Sequence, residues 1–107
     1  MQVTNYHVKA AVTSSNPPTG ADVLILTGAG NSTVVKSLEV ISSSENAIVN
    51  VFRKDSDGNV YGNIKLDLMA YNYVMLWEGF IAIPSGHQLF INADSQYIEA
   101  IANVVEL

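Results

Sequence analysis

The side chains that could do chemistry in this chain are few and scattered. His7 and His87 are its two histidines, one in an alternating run and one in a turn, and neither has a serine at a spacing that suggests a nucleophile with its base. There is no cysteine, which excludes disulfides, thiolate nucleophiles and cysteine-ligated zinc or iron–sulfur sites. Asp22, Glu39, Glu45, Asp67, Glu78, Asp94, Glu99 and Glu106 stand singly, so no carboxylate pair for glycoside hydrolysis is signalled. Gly28-Ala29-Gly30 begins like a dinucleotide loop, but Thr33 occupies the place of the third glycine and a β-branched run follows instead of a helix. Asp55, Asp57 and Asn59 around Gly58 look like a fragment of a calcium loop. The glycine comes too early, however, and Leu66 stands where a bidentate glutamate is needed. Both segments are read as turns. Asn31-Ser32-Thr33 matches a glycosylation sequon, which acts only in a secretory pathway. These residues predict no catalytic group, no metal and no cofactor.

The one pattern with functional weight is aromatic. Tyr71, Tyr73, Met75 and Trp77 form one face of a predicted strand whose other face carries Val74 and Leu76, so both sides prefer to leave water. Three readings stand open: a strand buried on both faces, a subunit interface of the kind enriched in aromatics and Met, or a platform on which sugar rings stack.

The elements that must position this stripe are strands. Tyr6, Val8, Ala10 and Val12 alternate with Asn5, His7, Lys9 and Ala11 over residues 5–13, a strand with one wet face. Pro17-Pro18 and their small polar neighbours then break the ladder, so residues 1–20 read as a first strand followed by a loop, or as an arm with a joint. Strands are predicted over 22–27, 33–42, 47–54, 60–69, 71–80 and 99–106. Lys36 falls in phase with Val34, Leu38 and Val40, which predicts a bulge or an end-of-strand twist there. Asp55 to Asn59 is a hairpin connection of the Asp-Gly type. Trp77 to Asp94 reads as a strand end, a Pro84-Ser85-Gly86-His87 turn and a second strand bearing Leu89, Ile91 and Ala93, hence an antiparallel hairpin. About eight short strands with turn signals between them, and no helical periodicity, specify an all-β chain, a single-domain antiparallel β-sandwich or jelly roll over residues 1–107.

Composition narrows the partners. Apolar residues make up 49% of the 107 and charged ones 14%, little surface charge for a free monomer, which points to buried subunit surface. Five Lys and Arg against ten Asp and Glu give a net charge of −5. That weighs against nucleic acid and against an anionic membrane. Residues 1–7 lack the basic and apolar regions of a signal peptide, and no apolar run reaches the roughly 20 residues that cross a bilayer. Synthesis and folding in a cytoplasm are expected.

Three segments resemble a known group. Gly30-Asn31-Ser32-Thr33-Val34-Val35-Lys36-Ser37-Leu38-Glu39-Val40, then residues 46–52, then Phe80-Ile81-Ala82-Ile83-Pro84-Ser85-Gly86-His87-Gln88-Leu89 with the terminal 100–107, are similar to small virion proteins of tailed bacteriophages. The resemblance covers residues 28–107; the aromatic stripe and His87 depart from it. It implies a non-enzymatic structural subunit, foremost a capsid decoration (cement) protein. Such a protein assembles in the host cytoplasm onto the capsid exterior, with itself as a homotrimer and the major capsid protein as partners and no small-molecule substrate. A neck, tail or fibre component, or a carbohydrate-binding module for host recognition, are the alternatives.

Overall fold

Period-two strands bury one face each, and here two sheets bury those faces against one another. The computed structural model describes residues 2–12, 19–30, 33–77 and 81–106. Their strands are β1 (Gln2–Lys9), β2 (Ala11–Val12), β3 (Gly20–Ala21), β4 (Val23–Thr27), β5 (Thr33–Ser42), β6 (Ala47–Lys54), β7 (Val60–Leu68), β8 (Tyr73–Leu76), β9 (Ile81–Ile83), β10 (Gln88–Ala93) and β11 (Ile98–Glu106). The first sheet runs β1-β11-β5-β8, with β9 also pairing β5; the second runs β4-β10-β6-β7, and β2 pairs β3. Every pairing is antiparallel. With β2 and β3 set aside and β8 and β9 taken as one interrupted strand, eleven strands reduce to eight, and the sheets read 1-8-3-6 and 2-7-4-5. That order is the jelly roll, with successive strands passing between the two layers except at the β6–β7 hairpin, which stays in the second sheet.

Leu38, Val40, Ile98 and Val104 from the first sheet meet Val49, Val51, Leu89 and Ile91 from the second, all fully buried. Ile64, Leu66 and Leu68, and the Leu89, Ile91, Ala93 face, take the inward orientation that their alternation predicts, and the strand expected over 99–106 forms as β11. The bulge expected at Lys36 is present. Asn103 pairs Ser37 while Val104 pairs Val35, so Lys36 is the extra residue, and it resets the phase so that Val35 and Leu38 both point inward.

Two expectations fail. The Trp77 to Asp94 hairpin does not form: β9 pairs β5 in the first sheet, while β10 pairs β4 and β6 in the second. The turn itself is real, with the His87 amide donating to Pro84 O at 3.0 Å and Gly86 at φ 83°. It crosses between layers because its neighbour is Gly28, whose amide donates to His87 O at 2.8 Å and whose carbonyl accepts from the Gly86 amide at 3.1 Å. A Cβ on Gly28 would stand 2.1 Å from Pro84 O, so the crossing needs glycine there.

The predicted 71–80 strand is also cut short, to Tyr73–Leu76. Tyr71 and Trp77 flank it at φ 61° and 56°, values costly for bulky side chains that break the two-residue alternation at both ends. The 55–59 connection forms as expected, with Gly58 at φ 86°. The Pro17-Pro18 joint, Asn31-Ser32 of the sequon and residues 78–80 lie outside the described residues.

Candidate functional site

The outward face of the first sheet is assembled from residues that sit opposite one another across the strands. Val3, Val105, Val34 and Ala82 form one apolar row across β1, β11, β5 and β9. His7, Ile101, Glu39 and Met75 form a second, and Lys9, Glu99, Ile41 and Tyr73 a third. Asn5, Asn103 and Ser37 lie between, with Asn103 Nδ2 donating to Ser37 Oγ at 2.8 Å. Val3 is 73% exposed, Tyr73 61% and Met75 38%. Lys9, Glu39 and Glu99 carry the charge in these rows, and His7 Nε2 lies 3.3 Å from Glu99 Oε1. On the opposite, inward side of β1, where Tyr6 packs against the core, its hydroxyl donates to Glu106 Oε1 at 3.0 Å, which raises the tyrosine pKa, with burial and the carboxylate charge adding to it.

The outward face of the second sheet is finished differently. Phe52 and Phe90 stand opposite one another with centroids 5.4 Å apart and nearly parallel planes, and Lys54 Nζ sits 4.5 Å over the Phe90 ring. Asn92 Nδ2 donates to Asp22 Oδ1 at 2.8 Å, Asn63 Nδ2 to Asn50 Oδ1 at 3.3 Å, and Lys54 lies 3.8 Å from Asp22. Amides and rings here satisfy one another across neighbouring strands.

Of the four stripe residues, Tyr73 and Met75 point outward on β8 beside Ile41 and Glu39. Tyr71 is 81% exposed in the preceding turn. Trp77 leaves the stripe: its ring packs against the core, and the Arg53 guanidinium lies 5.9 Å from its centroid. The alternating pattern places all four on one side, and the two positive φ values undo that. Val74 and Leu76 pack inward as expected.

His87 is not a plain surface residue, because its Nδ1 lies 2.7 Å from the Tyr61 hydroxyl. Arg53 lies over the Tyr61 ring at 4.8 Å. Arg53, Tyr61 and His87 form a cluster that motif reading misses, although one signal is there: Arg53 falls in phase with Ala47, Val49 and Val51, all buried. Asp55 belongs to its own turn, where Oδ1 accepts from the Asp57 and Asn59 amides at 2.9 Å each. Those bonds, the Asn59 amide foremost, hold its pKa below the ordinary 3.8. Among the described residues no group of three His, Asp or Glu side chains could hold a metal ion.

No protein-family model matches the chain, and no curated protein matches it. Solved structures do. A chain of the infectious bursal disease virus particle, described with the evolution of icosahedral viruses, superposes with a TM-score of 0.50 at 13% identity, covering 98% of this chain and 31% of that one. A chain of the Gx strain of the same virus gives 0.48 at 13%, covering 98% and 32%. This chain spans about a third of their length. At that identity the likeness is one of fold.

Proposed function

We propose that this chain is a non-enzymatic structural protein of a virus particle, and more narrowly a decoration protein of a tailed bacteriophage. It binds the outside of the shell as a small symmetric oligomer, a homotrimer, alongside the major capsid protein. The observation that carries the reading is the outward face of the first sheet, where an apolar row four strands wide and the exposed Tyr73 and Met75 share one surface. An exposed apolar row of this length is a feature of protein contacts. The fold shared with a viral particle chain supports the virion assignment, and the resemblance of residues 28–107 to tailed-phage virion proteins supports the narrower one. Symmetric copies on a lattice add many modest contacts through multivalency, so each surface need not be large.

The sugar-platform alternative needs several ring faces in one plane. Here Arg53 lies over Trp77, and the positive φ of Tyr71 and Trp77 breaks the alternation at both ends of β8.

The test is stoichiometry with a surface variant. The chain should copurify with particles in numbers that scale with the capsomers, and Tyr73→Ser with Met75→Ser should remove it from particles while leaving it folded. Copies in the small fixed number of a neck or tail ring would overturn the decoration assignment, and full occupancy by the double variant would overturn the surface.

A further inference from the structure

The Arg53 side chain is drawn in at one end of the sandwich. Its strand neighbours in the ladder are Leu89 and Tyr61, and its cation is held between the rings of Tyr61, from the second sheet, and Trp77, which follows β8 of the first. The third wall is backbone. β7 bulges here, so that Val51 pairs Ile64 and Arg53 pairs Tyr61, and Gly62 takes φ 64°. A Cβ on Gly62 would stand 2.2 Å from Arg53 Nη2 and 2.8 Å from Cζ, so the guanidinium lies flat where only a glycine leaves room.

Among the described residues this half-buried cation has ring partners but no carboxylate partner. Arg53 Nε is buried and has no hydrogen-bond partner among the described residues, and the ion pairs among them are His7 with Glu99 and Lys54 with Asp22. Asp55 spends its oxygens on its own turn, and His87 is tied to Tyr61. Buried donors of this kind are almost always paired, and a planar guanidinium fork matches the two oxygens of a carboxylate.

We propose that the Arg53 guanidinium is a receptor for a carboxylate presented by another protein chain, an Asp or Glu side chain or a chain terminus, with the Arg53 fork taking both oxygens. Tyr61 and Trp77 keep water from the flanks of the pair, the environment in which such a contact is strongest. The one guanidinium balances the single negative charge of a carboxylate. The site lies at the end of the sandwich, apart from the outward face of the first sheet, and does not depend on the virion reading.

Trp77 is the chain's one tryptophan, so its emission reports on the site directly. The full chain is titrated with a short Glu-containing peptide and, in parallel, with succinate. A saturable emission change is expected, tighter for the peptide. It should weaken about tenfold in Arg53→Lys, which keeps the charge but loses the fork, vanish in Arg53→Gln, and persist in Tyr61→Phe, which keeps the ring. If Arg53→Gln melts early, Arg53→Lys decides, since it retains the stem and the charge. Succinate binding as tightly as the peptide would overturn the protein origin of the carboxylate. No saturable change with either probe, or an equal change in Arg53→Gln, would overturn the site.

Discussion

The two broad faces of this sandwich are built from strands of the same kind, yet one is closed on itself and the other is not. On the second sheet, the Phe52 and Phe90 rings stack beneath Lys54, and Asn92, Asp22, Asn63 and Asn50 bond across strands. Leu24, Ile48 and Val60 are exposed there, on three different strands. On the first sheet the apolar residues run in a row from Val3 to Ala82, and Tyr73 and Met75 stand in water. Both faces carry polar pairs, but on the second the largest rings also stack on one another, whereas on the first Val3, Tyr73 and Met75 remain exposed, which is what the proposed contact uses. The comparison separates residues that hold the fold from residues that act.

The largest expected effect falls on the closed face. Phe52 is 7% exposed, so Phe52→Ala should cost about 3–5 kcal/mol, read as a lower urea midpoint, with association of the remaining folded protein unchanged. The open face should give the opposite result. Tyr73→Ser with Met75→Ser should weaken association by about tenfold to a hundredfold, roughly 1.4–2.8 kcal/mol, while unfolding stability stays within about 0.5 kcal/mol of the parent; sedimentation and urea titration together read both. An unfolded double variant would mean that the open face is core after all.

A smaller effect belongs to the polar net of the second sheet. Asn92 Nδ2 donates to Asp22 and, at 3.3 Å, to Gly20 O, so Asn92→Ala should lose about 1 kcal/mol by thermal melting, with no change in association. The smallest is a pH effect at Tyr6. Its pKa is raised above 10.0 by the hydrogen bond to Glu106, so its contribution is complete below the ordinary tyrosine value and fades as pH rises through the higher folded one. Stability should sag by a few tenths of a kcal/mol in that alkaline range, and Tyr6→Phe should remove this step from the pH profile.

The strands were legible because alternation reports burial directly. Lys36 illustrates this: a charge in phase with Val34, Leu38 and Val40 signalled the bulge that Asn103 and Val104 expose in the register. Partner choice was not legible. The run from Trp77 to Asp94 looks like a hairpin because alternation does not say which strand lies alongside, and the contact that sends the chain across layers is made by Gly28, far away in sequence. Backbone reversals were hidden too. Nothing in Tyr71 or Trp77 as residue types announces a positive φ, so the aromatic stripe was read as four residues where the strand presents two. Arg53 was visible in phase with three apolar positions, but only the fold reveals that Gly62 and Trp77 close around it.

The central claim is that the open face is covered when the chain is in its assembly, and the methionines provide an internal comparison. Met75 lies on that face and is 38% exposed, while Met69 lies off it, after β7, and is 66% exposed. Both thioethers in the free chain should oxidise to the sulfoxide under mild peroxide, as exposed methionines do. In intact particles, mass spectrometry should find Met75 protected and Met69 oxidised as before. Equal oxidation of Met75 in the free chain and in the particle would contradict the account.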